Sequence, residues 1–373
     1  MRKICIFCET WESGGIESFL NNILSRMDLS GLELHLVAAR LGESVFTAPM
    51  EALGVRFFEL SGSPRRVTEN HRLFRALLRR EHYDLVHLNL FQGMSLDYAR
   101  IAREEGVPVR IAHSHNTALR RSLLRPVKLL LHRVYAQRRA GEATAFWACS
   151  RPAAEFLFPE RLLRERGFRF IPNGIDTARF APDLARRAEI RRELNAEGRF
   201  LVGSVGRLCY QKNQQFVLEV FERLQSLRPD SMLLLVGEGP DREELQRRAA
   251  ALGIAERVVF YGVSRRVEEL FWAMDAFVFP SRFEGLGIVA VEAQAAGLPT
   301  LCSEHVPEEA AVSPLFRRLS LTGGSEAWAK ALAAVDPALR RDGSRQVAEA
   351  GFELRDVARL VETYYRDSAG SGR

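Results

Sequence analysis

Short apolar runs alternate along the chain with longer stretches in which apolar positions recur every three or four residues. In the first half the runs predict strands at Lys3–Cys8, Leu34–Ala38, Asp84–Asn89, Val109–Ala112 and Ala145–Ala148. The longer stretches predict helices at Ile16–Met27, Asn70–Glu81 and Leu96–Glu105. Strand and helix in alternation imply right-handed crossovers and a parallel sheet covered on both faces, a Rossmann-like half. A polar stretch follows Ile171-Pro-Asn-Gly-Ile-Asp176 to about Gly198. The pattern then restarts with strands at Phe200–Val205, Met232–Val236, Arg257–Phe260, Ala276–Phe279 and Thr300–Cys302. Pro172, Gly174 and Pro182 place a hinge between Asn173 and Pro182. The expected class is therefore α/β, with two Rossmann-like domains. A cleft between them, beyond the carboxyl ends of the strands, is the expected ligand site.

Length agrees with two domains, because 373 residues exceed what one hydrophobic core usually supports. With 47% hydrophobic and 27% charged residues, the composition excludes a disordered or fibrous chain. The longest apolar runs, such as Met232–Val236 and Phe277–Phe279, are strand-length, so no transmembrane helix is expected. The start, Met-Arg-Lys-Ile-Cys-Ile-Phe-Cys, turns polar at Glu9 and reads as a first strand, not a signal. Cys5, Cys8, Cys149, Cys209 and Cys302 are scattered and mostly in apolar contexts, which suits buried thiols in a reducing cytoplasm. Cys5 and Cys8 would point to opposite faces of a strand, and no second pair completes a zinc site. The net charge of +6 raises the question of nucleic acid. Its surplus lies entirely within residues 1–178 and is almost all arginine, with lysine only at 3, 128, 212 and 330. Interleaved aromatic-basic motifs and recognizable docking helices are missing, so no nucleic-acid partner is expected.

The densest chemical signal is Phe279-Pro-Ser-Arg-Phe-Glu-Gly-Leu-Gly-Ile-Val-Ala-Val-Glu292, a strand, a glycine-bearing turn and a helix start. Gly285 and Gly287 let a backbone approach a ligand, and the helix beginning near Gly287 offers unpaired N–H groups to a phosphate. Glu284 and Glu292 can face one pocket and accept hydrogen bonds from hydroxyls; taken alone they read equally well as solvated acids near a helix start. Gly203-Ser-Val-Gly-Arg-Leu-Cys-Tyr-Gln-Lys212 carries Arg207 and Lys212 in a loop after a strand, two cations able to neutralise a diphosphate leaving group. Thr10-Trp-Glu-Ser-Gly-Gly-Ile-Glu17 again sets glycines before a helix, and Leu235-Val-Gly-Glu-Gly239 is only a partial glycine motif, which disfavours a nicotinamide enzyme. His113 and His115, in Ile111-Ala-His-Ser-His-Asn-Thr117, end a strand of the first half. We read His113 as an acceptor-side group near the reacting carbon; no third ligand suggests a metal.

Together these segments resemble the family-4 glycosyltransferases, retaining enzymes of the GT-B fold, in order and over nearly the whole chain. The most specific elements are the seven-residue spacing of Glu284 and Glu292 and the Gly206-Arg-Leu-x4-Lys212 motif. The resemblance implies an acceptor-binding domain over 1–178, a nucleotide-sugar domain over 179–350, and a helix around Val357–Tyr365 within 351–373 that crosses back to the first domain before a frayed tail. It implies that Glu284 and the backbone of Gly285, Leu286 and Gly287 hold the donor sugar. The amides of Ile288 and Val289 would hold the phosphates, Glu292 the ribose hydroxyls and Val263 the base, with Gly14 and Gly15 bordering the phosphate. The subgroup resembled makes capsular and exopolysaccharides. The implied reaction transfers a sugar, expected from a UDP-sugar, to a lipid-linked glycan, with no metal or other cofactor. Arg120–Arg139 mixes cations with leucines, as a basic amphipathic helix at an anionic membrane does, and equally as a helix packed on its own domain does. Rival readings are a nucleotide-sugar epimerase of the same fold and a non-catalytic sugar-nucleotide-binding protein.

Overall fold

The computed structural model describes residues 1–12, 14–119 and 124–368. It divides into two compact units, one of residues 1–175 together with the chain from Leu354, the other Asp176–Glu353.

The first unit is built on a seven-stranded parallel sheet. Its strands are β1 (Arg2–Trp11), β2 (Leu32–Leu41), β3 (Arg56–Glu59), β4 (Leu85–Leu90), β5 (Val109–Ser114), β6 (Ala145–Ala148) and β7 (Arg169–Phe170), in the order β3-β2-β1-β4-β5-β6-β7. Every residue of β4 is buried, as a strand covered on both faces requires. Ile4, Ile6 and Cys8 face a core shared with the Gly15–Leu24 helix, while Cys5 lies on the opposite face, also buried. Burial pushes both thiols far above their ordinary range, so they are inert packing groups.

The Leu354–Asp367 helix belongs to this unit. Leu354, Val357, Ala358, Val361 and Tyr365 recur at helical spacing and enter the core of the first sheet. Its end is fastened by Arg2, whose Nη1 donates to the Arg366 carbonyl at 2.6 Å, and by Arg366, whose Nη1 donates to the Ser30 carbonyl at 3.0 Å. Of the expected frayed tail, residues 369–373 lie outside the described residues.

The second unit repeats the design with six parallel strands: β8 (Phe200–Val205), β9 (Ser231–Val236), β10 (Val258–Gly262), β11 (Ala276–Phe279), β12 (Thr300–Ser303) and β13 (Phe316–Leu319), ordered β10-β9-β8-β11-β12-β13. Strands β8, β9, β11 and β12 are buried throughout. Asp275, just before β11, receives Arg187 at 2.6 Å, Arg191 at 3.0 Å and the Leu201 amide at 2.8 Å, which ties the Leu184–Glu193 helix to the sheet. Among the described residues no helix is long and apolar enough to cross a membrane.

Candidate active site

In the second unit the strand order reverses between β8 and β11, so the chain leaves their carboxyl ends in opposite directions and the loops that follow share one opening. The first loop starts at Gly206, whose φ of 144° suits glycine. The glycines of Leu235–Gly239 have a packing reason: a Cβ on Gly237 would stand 2.2 Å from the Gly206 carbonyl oxygen, and one on Gly239 would stand 2.2 Å from that of Leu208. They let the β9 loop lie against the Arg207 turn, so no dinucleotide is needed to account for them.

The loops after β8 and β11 are joined along their length. The Arg282 amide donates to the Gln211 carbonyl at 2.8 Å, and Gln211 Nε2 to the Phe283 carbonyl at 3.0 Å. Asn213 Nδ2 donates to the Pro280 carbonyl at 3.1 Å, while its Oδ1 accepts from Arg282 Nη2 at 2.7 Å. Asn213 makes these bonds from a left-handed conformation, φ 60°, immediately before the Gln214–Leu227 helix. At the centre Lys212 Nζ lies 2.7 Å from Glu284 Oε1 and 4.7 Å from the Phe279 ring centroid. Glu284 is buried, so its charge is met by a cation held from two sides.

The turn continues through Gly287, φ 84°, where a Cβ would also press on Phe279 and Val306 at 3.2 and 3.3 Å. The Ile288–Ala295 helix begins there. As its first residues, Ile288 and Val289 have amides without a carbonyl one turn back. Leu286 turns its side chain into the core, so only the backbone between Gly285 and Gly287 can serve a ligand. One turn into the helix, burial raises the Glu292 carboxyl to about 7; Arg179 opposes the shift, Glu268 adds to it and Lys212 opposes it. Arg179 is itself paired with Glu268 at 2.8 Å. Arg207 is exposed, and its guanidinium has no hydrogen-bond partner among the described residues. Val263 is 74% exposed beyond the end of β10, following Gly262 at φ 83°.

The structure thus gathers Glu284, Lys212, Gly285, Gly287, Ile288 and Val289 on two bonded loops, with Glu292 within electrostatic reach of Lys212. The sequence reading missed Arg179, Glu268, Gln211 and Arg282. Asn213 carried a readable signal, an asparagine one residue before a helix, where its short polar side chain tolerates positive φ.

In the first unit the structure shows what surrounds Gly14, Gly15 and His113. The resemblance implies that Gly14 and Gly15 border a phosphate, yet the carboxylate of Glu17 already occupies the start of the Gly15–Leu24 helix. Its Oε1 accepts from the Glu12 amide at 3.0 Å, and its Oε2 would lie 2.7 Å from a Cβ on Gly14. This is the reach of a capping glutamate at the third helical position, and a phosphate arriving there would have to displace it. Burial raises the Glu17 carboxyl, with the backbone N–H of Glu12 as the main opposing influence. Ser13, in the same loop, lies outside the described residues.

His113 is the residue expected on the acceptor side, near the reacting carbon. Its ring is fully buried. Nδ1 lies 3.1 Å from His87 Nε2, whose other ring nitrogen lies 2.6 Å from the Tyr365 hydroxyl. Phe19 and Trp147 stand edge-on to the ring, and burial drives it well below the ordinary histidine range. His113 lies next to the carboxyl end of β5, and Phe19 of the neighbouring helix packs against its ring. His115, two residues on, is half-buried and lies above it.

Comparison with known proteins agrees with this architecture. Residues 13–179 match glycosyltransferase family 4, and residues 186–340 match glycosyl transferases group 1. EpsF of Bacillus subtilis (strain 168), which bears the name of a glycosyltransferase, is 31% identical over 361 residues, covering 94% of this chain and 93% of its own. An Escherichia coli protein named UDP-Gal:α-D-GlcNAc-diphosphoundecaprenol α-1,3-galactosyltransferase is 29% identical over 61% of this chain and 59% of its own. Among solved structures, Anabaena HepE in complex with UDP superposes with a TM-score of 0.76 at 19% identity, covering 97% of this chain and 98% of its own. WaaG, a glycosyltransferase involved in lipopolysaccharide biosynthesis, does so at 0.71 and 18%, covering 98% and 100%. At these identities the structural likeness is one of fold.

Proposed function

From the premise that the chain belongs to the family-4 glycosyltransferases and has their GT-B fold, we propose that it moves a sugar from a UDP-sugar to a lipid-linked glycan, retaining the anomeric configuration, in exopolysaccharide or capsule assembly. The observation that carries the reading is the Lys212–Glu284 pair on two joined loops at a strand-order reversal, beside an open guanidinium and a helix start. Glu284 and the Gly285–Gly287 backbone take the donor sugar, and Glu292 takes the ribose. Val263 backbone atoms take the base. Departure of the diphosphate leaves negative charge, which Arg207, Lys212 and the Ile288 and Val289 amides absorb; the reading calls for no metal or other cofactor. A UDP donor draws support from HepE, solved with UDP and with UDP-glucose, and a lipid diphosphate acceptor from the name of the E. coli relative.

Thermal unfolding with UDP, GDP, ADP and dTDP tests the donor assignment. UDP at a hundred times its dissociation constant should stabilise the second unit by about 2.7 kcal/mol, a rise of roughly 5–10 °C. Arg207→Ala should abolish the rise without changing the melting point of the free protein, because among the described residues that side chain has no hydrogen-bond partner. A flat response to every nucleotide would sink the donor site.

Peripheral contact with an anionic membrane is part of the proposal. Residues 120–123 of the basic amphipathic segment lie outside the described residues, but the Arg125–Arg139 helix follows. It buries His132 and Ala136 and leaves Leu124 (63%), Val127 (56%) and Leu130 (63%) in solvent among Arg125, Lys128 and Arg133. Vesicles containing phosphatidylglycerol should pellet the protein and purely zwitterionic ones should not. Leu130→Glu with Leu131→Glu should keep it in the supernatant; pelleting that persists would refute the contact.

A further inference from the structure

The first sheet also reverses its strand order, between β1 and β4. The pairing of these two strands ends at Phe7 and Leu88, and both run on beyond it at the point where an open α/β sheet takes a ligand. Glu9 of β1 stands there, half-buried. Its Oε1 accepts from the Ser95 hydroxyl and from Gln92 Nε2, the latter at 3.3 Å. Two donors on one oxygen hold the carboxylate still and leave the lone pairs of the other oxygen to accept. Among the described residues Oε2 has no hydrogen-bond partner, and no cation pairs with Glu9.

The turn that supplies both donors is fixed from behind. The Gly93 amide donates to His132 Nδ1 at 2.8 Å, and His132 Nε2 donates to the Phe156 carbonyl at 2.7 Å, so the ring is neutral with its hydrogen on Nε2. A Cβ on Gly93 would stand 2.2 Å from the His132 carbonyl oxygen, so only glycine lets the turn lie against the Arg125–Arg139 helix. Gln92 and Ser95 therefore reach Glu9 from an ordered backbone, and a ligand need not order it on binding. Phe91, immediately before Gln92, is 37% exposed at the end of a strand whose own residues are all buried. An aromatic face next in the chain to the donors that hold a carboxylate supplies the two contacts a pyranose makes, apolar on its C–H face and polar at its hydroxyl rim.

We infer that Glu9 is a specificity-determining residue for the acceptor: its Oε2 receives a hydroxyl of an uncharged sugar, and its charge turns away sugars that carry a carboxylate of their own. Gln92 and Ser95 are the positioning residues that aim it. A neutral hydroxyl gains a hydrogen bond to a charged oxygen, whereas a uronic acid brings a second negative charge against the first. The inference rests on the transferase reading and deepens it, because the acceptor is the substrate left to the first unit once the donor is assigned to the second. No bond to Glu9 forms and no proton moves to it.

The test titrates the full chain with octyl glucoside, octyl galactoside and octyl glucuronide below micellar concentration, with dissociation constants read from the ligands' NMR signals. At least one neutral glycoside should bind about tenfold tighter than the glucuronide. Glu9→Gln keeps an oxygen for Gln92 and Ser95 but loses the charge; it should weaken the neutral glycoside about tenfold, leave the glucuronide no weaker and so bring the two within about threefold. Glu9→Asp, which keeps the charge, should keep the discrimination. Ser95→Ala should weaken the neutral glycoside severalfold with UDP affinity unchanged, and Ser95→Thr should not. A parent chain that binds neither neutral glycoside, or binds the glucuronide equally well, or a Glu9→Gln chain as selective as the parent, would each overturn the assignment. Failure of the transferase reading would show elsewhere, as an unmodified chain that UDP does not stabilise.

Discussion

Lys212→Ala is expected to lower kcat/KM at least a hundredfold and the melting temperature of the second unit by several degrees, and adding Glu284→Gln should restore the second quantity alone. The thermal effect follows from burial. Glu284 is only 6% and Lys212 18% exposed at the side chain, and their closest atoms are 2.7 Å apart. Removing one partner of a buried ion pair costs about 3–5 kcal/mol because the other keeps its charge without its counter-ion. Allowing for the partial exposure of Lys212, roughly 2–4 kcal/mol is lost, which at 2–4 °C per kcal/mol is readable by calorimetry. Glutamine at 284 removes the charge and with it most of that loss, so the pair should show strong coupling in a double-mutant cycle. Turnover is expected to behave differently, because on the proposed reading Lys212 meets the departing diphosphate and no substitution at 284 replaces that cation. One preorganised group of this kind is worth about a hundred- to a thousandfold. Coupled measurement of nucleotide release in the single and double variants decides the matter: a double variant within tenfold of the parent enzyme would make Lys212 a structural partner of Glu284 and nothing more.

The joined loops that carry the Lys212–Glu284 pair could largely be read from sequence. Glu284, Gly287 and Lys212 each lie within a few residues of a strand end, where local pattern is strongest, and the strands themselves are continuous apolar runs buried on both faces. Legibility falls where burial is one-sided. Strands β3, β7 and β13 stand at sheet edges with one neighbour each, and their residues alternate or expose arginine, as in Arg56, Arg169 and Arg317, so no apolar run marks them. It fails altogether for partners brought together only by the fold. Arg179 sits in a short helical turn, Thr177–Phe180, and meets Glu268 across 89 residues of chain; nothing local separates it from the other arginines. His113 and His115 show an intermediate case. Their spacing is local, but only the fold shows that His113, within β5, is fully buried and His115, just beyond the strand, is half-buried.

Burial is the main influence on the charge of Glu292, with Arg179 opposing it and Glu268 adding to it, and the second large effect is expected there. The carboxyl has an ordinary value of 4.5 and stands at about 7 in the folded protein. Between those values the folded chain holds the proton and the unfolded chain does not. Stability therefore falls as pH rises from about 4.5 to 7, and above 7 the charged carboxylate remains a net cost of the order of 2–3 kcal/mol. Glu292→Gln should remove this cost, giving a free protein that melts higher than the parent at pH 8 and no differently at pH 4. Binding should move the opposite way. A carboxylate accepts both ribose hydroxyls, whereas an amide oxygen is a weaker acceptor, so UDP affinity at pH 8 should drop about 10- to 100-fold. The advantage of UDP over its 2′-deoxy analogue should shrink with it. Because hydroxyl donors favour the ionised form, UDP should release part of a proton at pH 7, measurable by calorimetry in buffers of different ionisation enthalpy and absent in the variant. A Glu292→Gln protein that bound UDP within twofold of the parent, with no proton release in either, would place the ribose elsewhere. A residue that weakens the empty unit is thus expected to strengthen the occupied one, the relation a binding site shows when its charge is completed by the ligand.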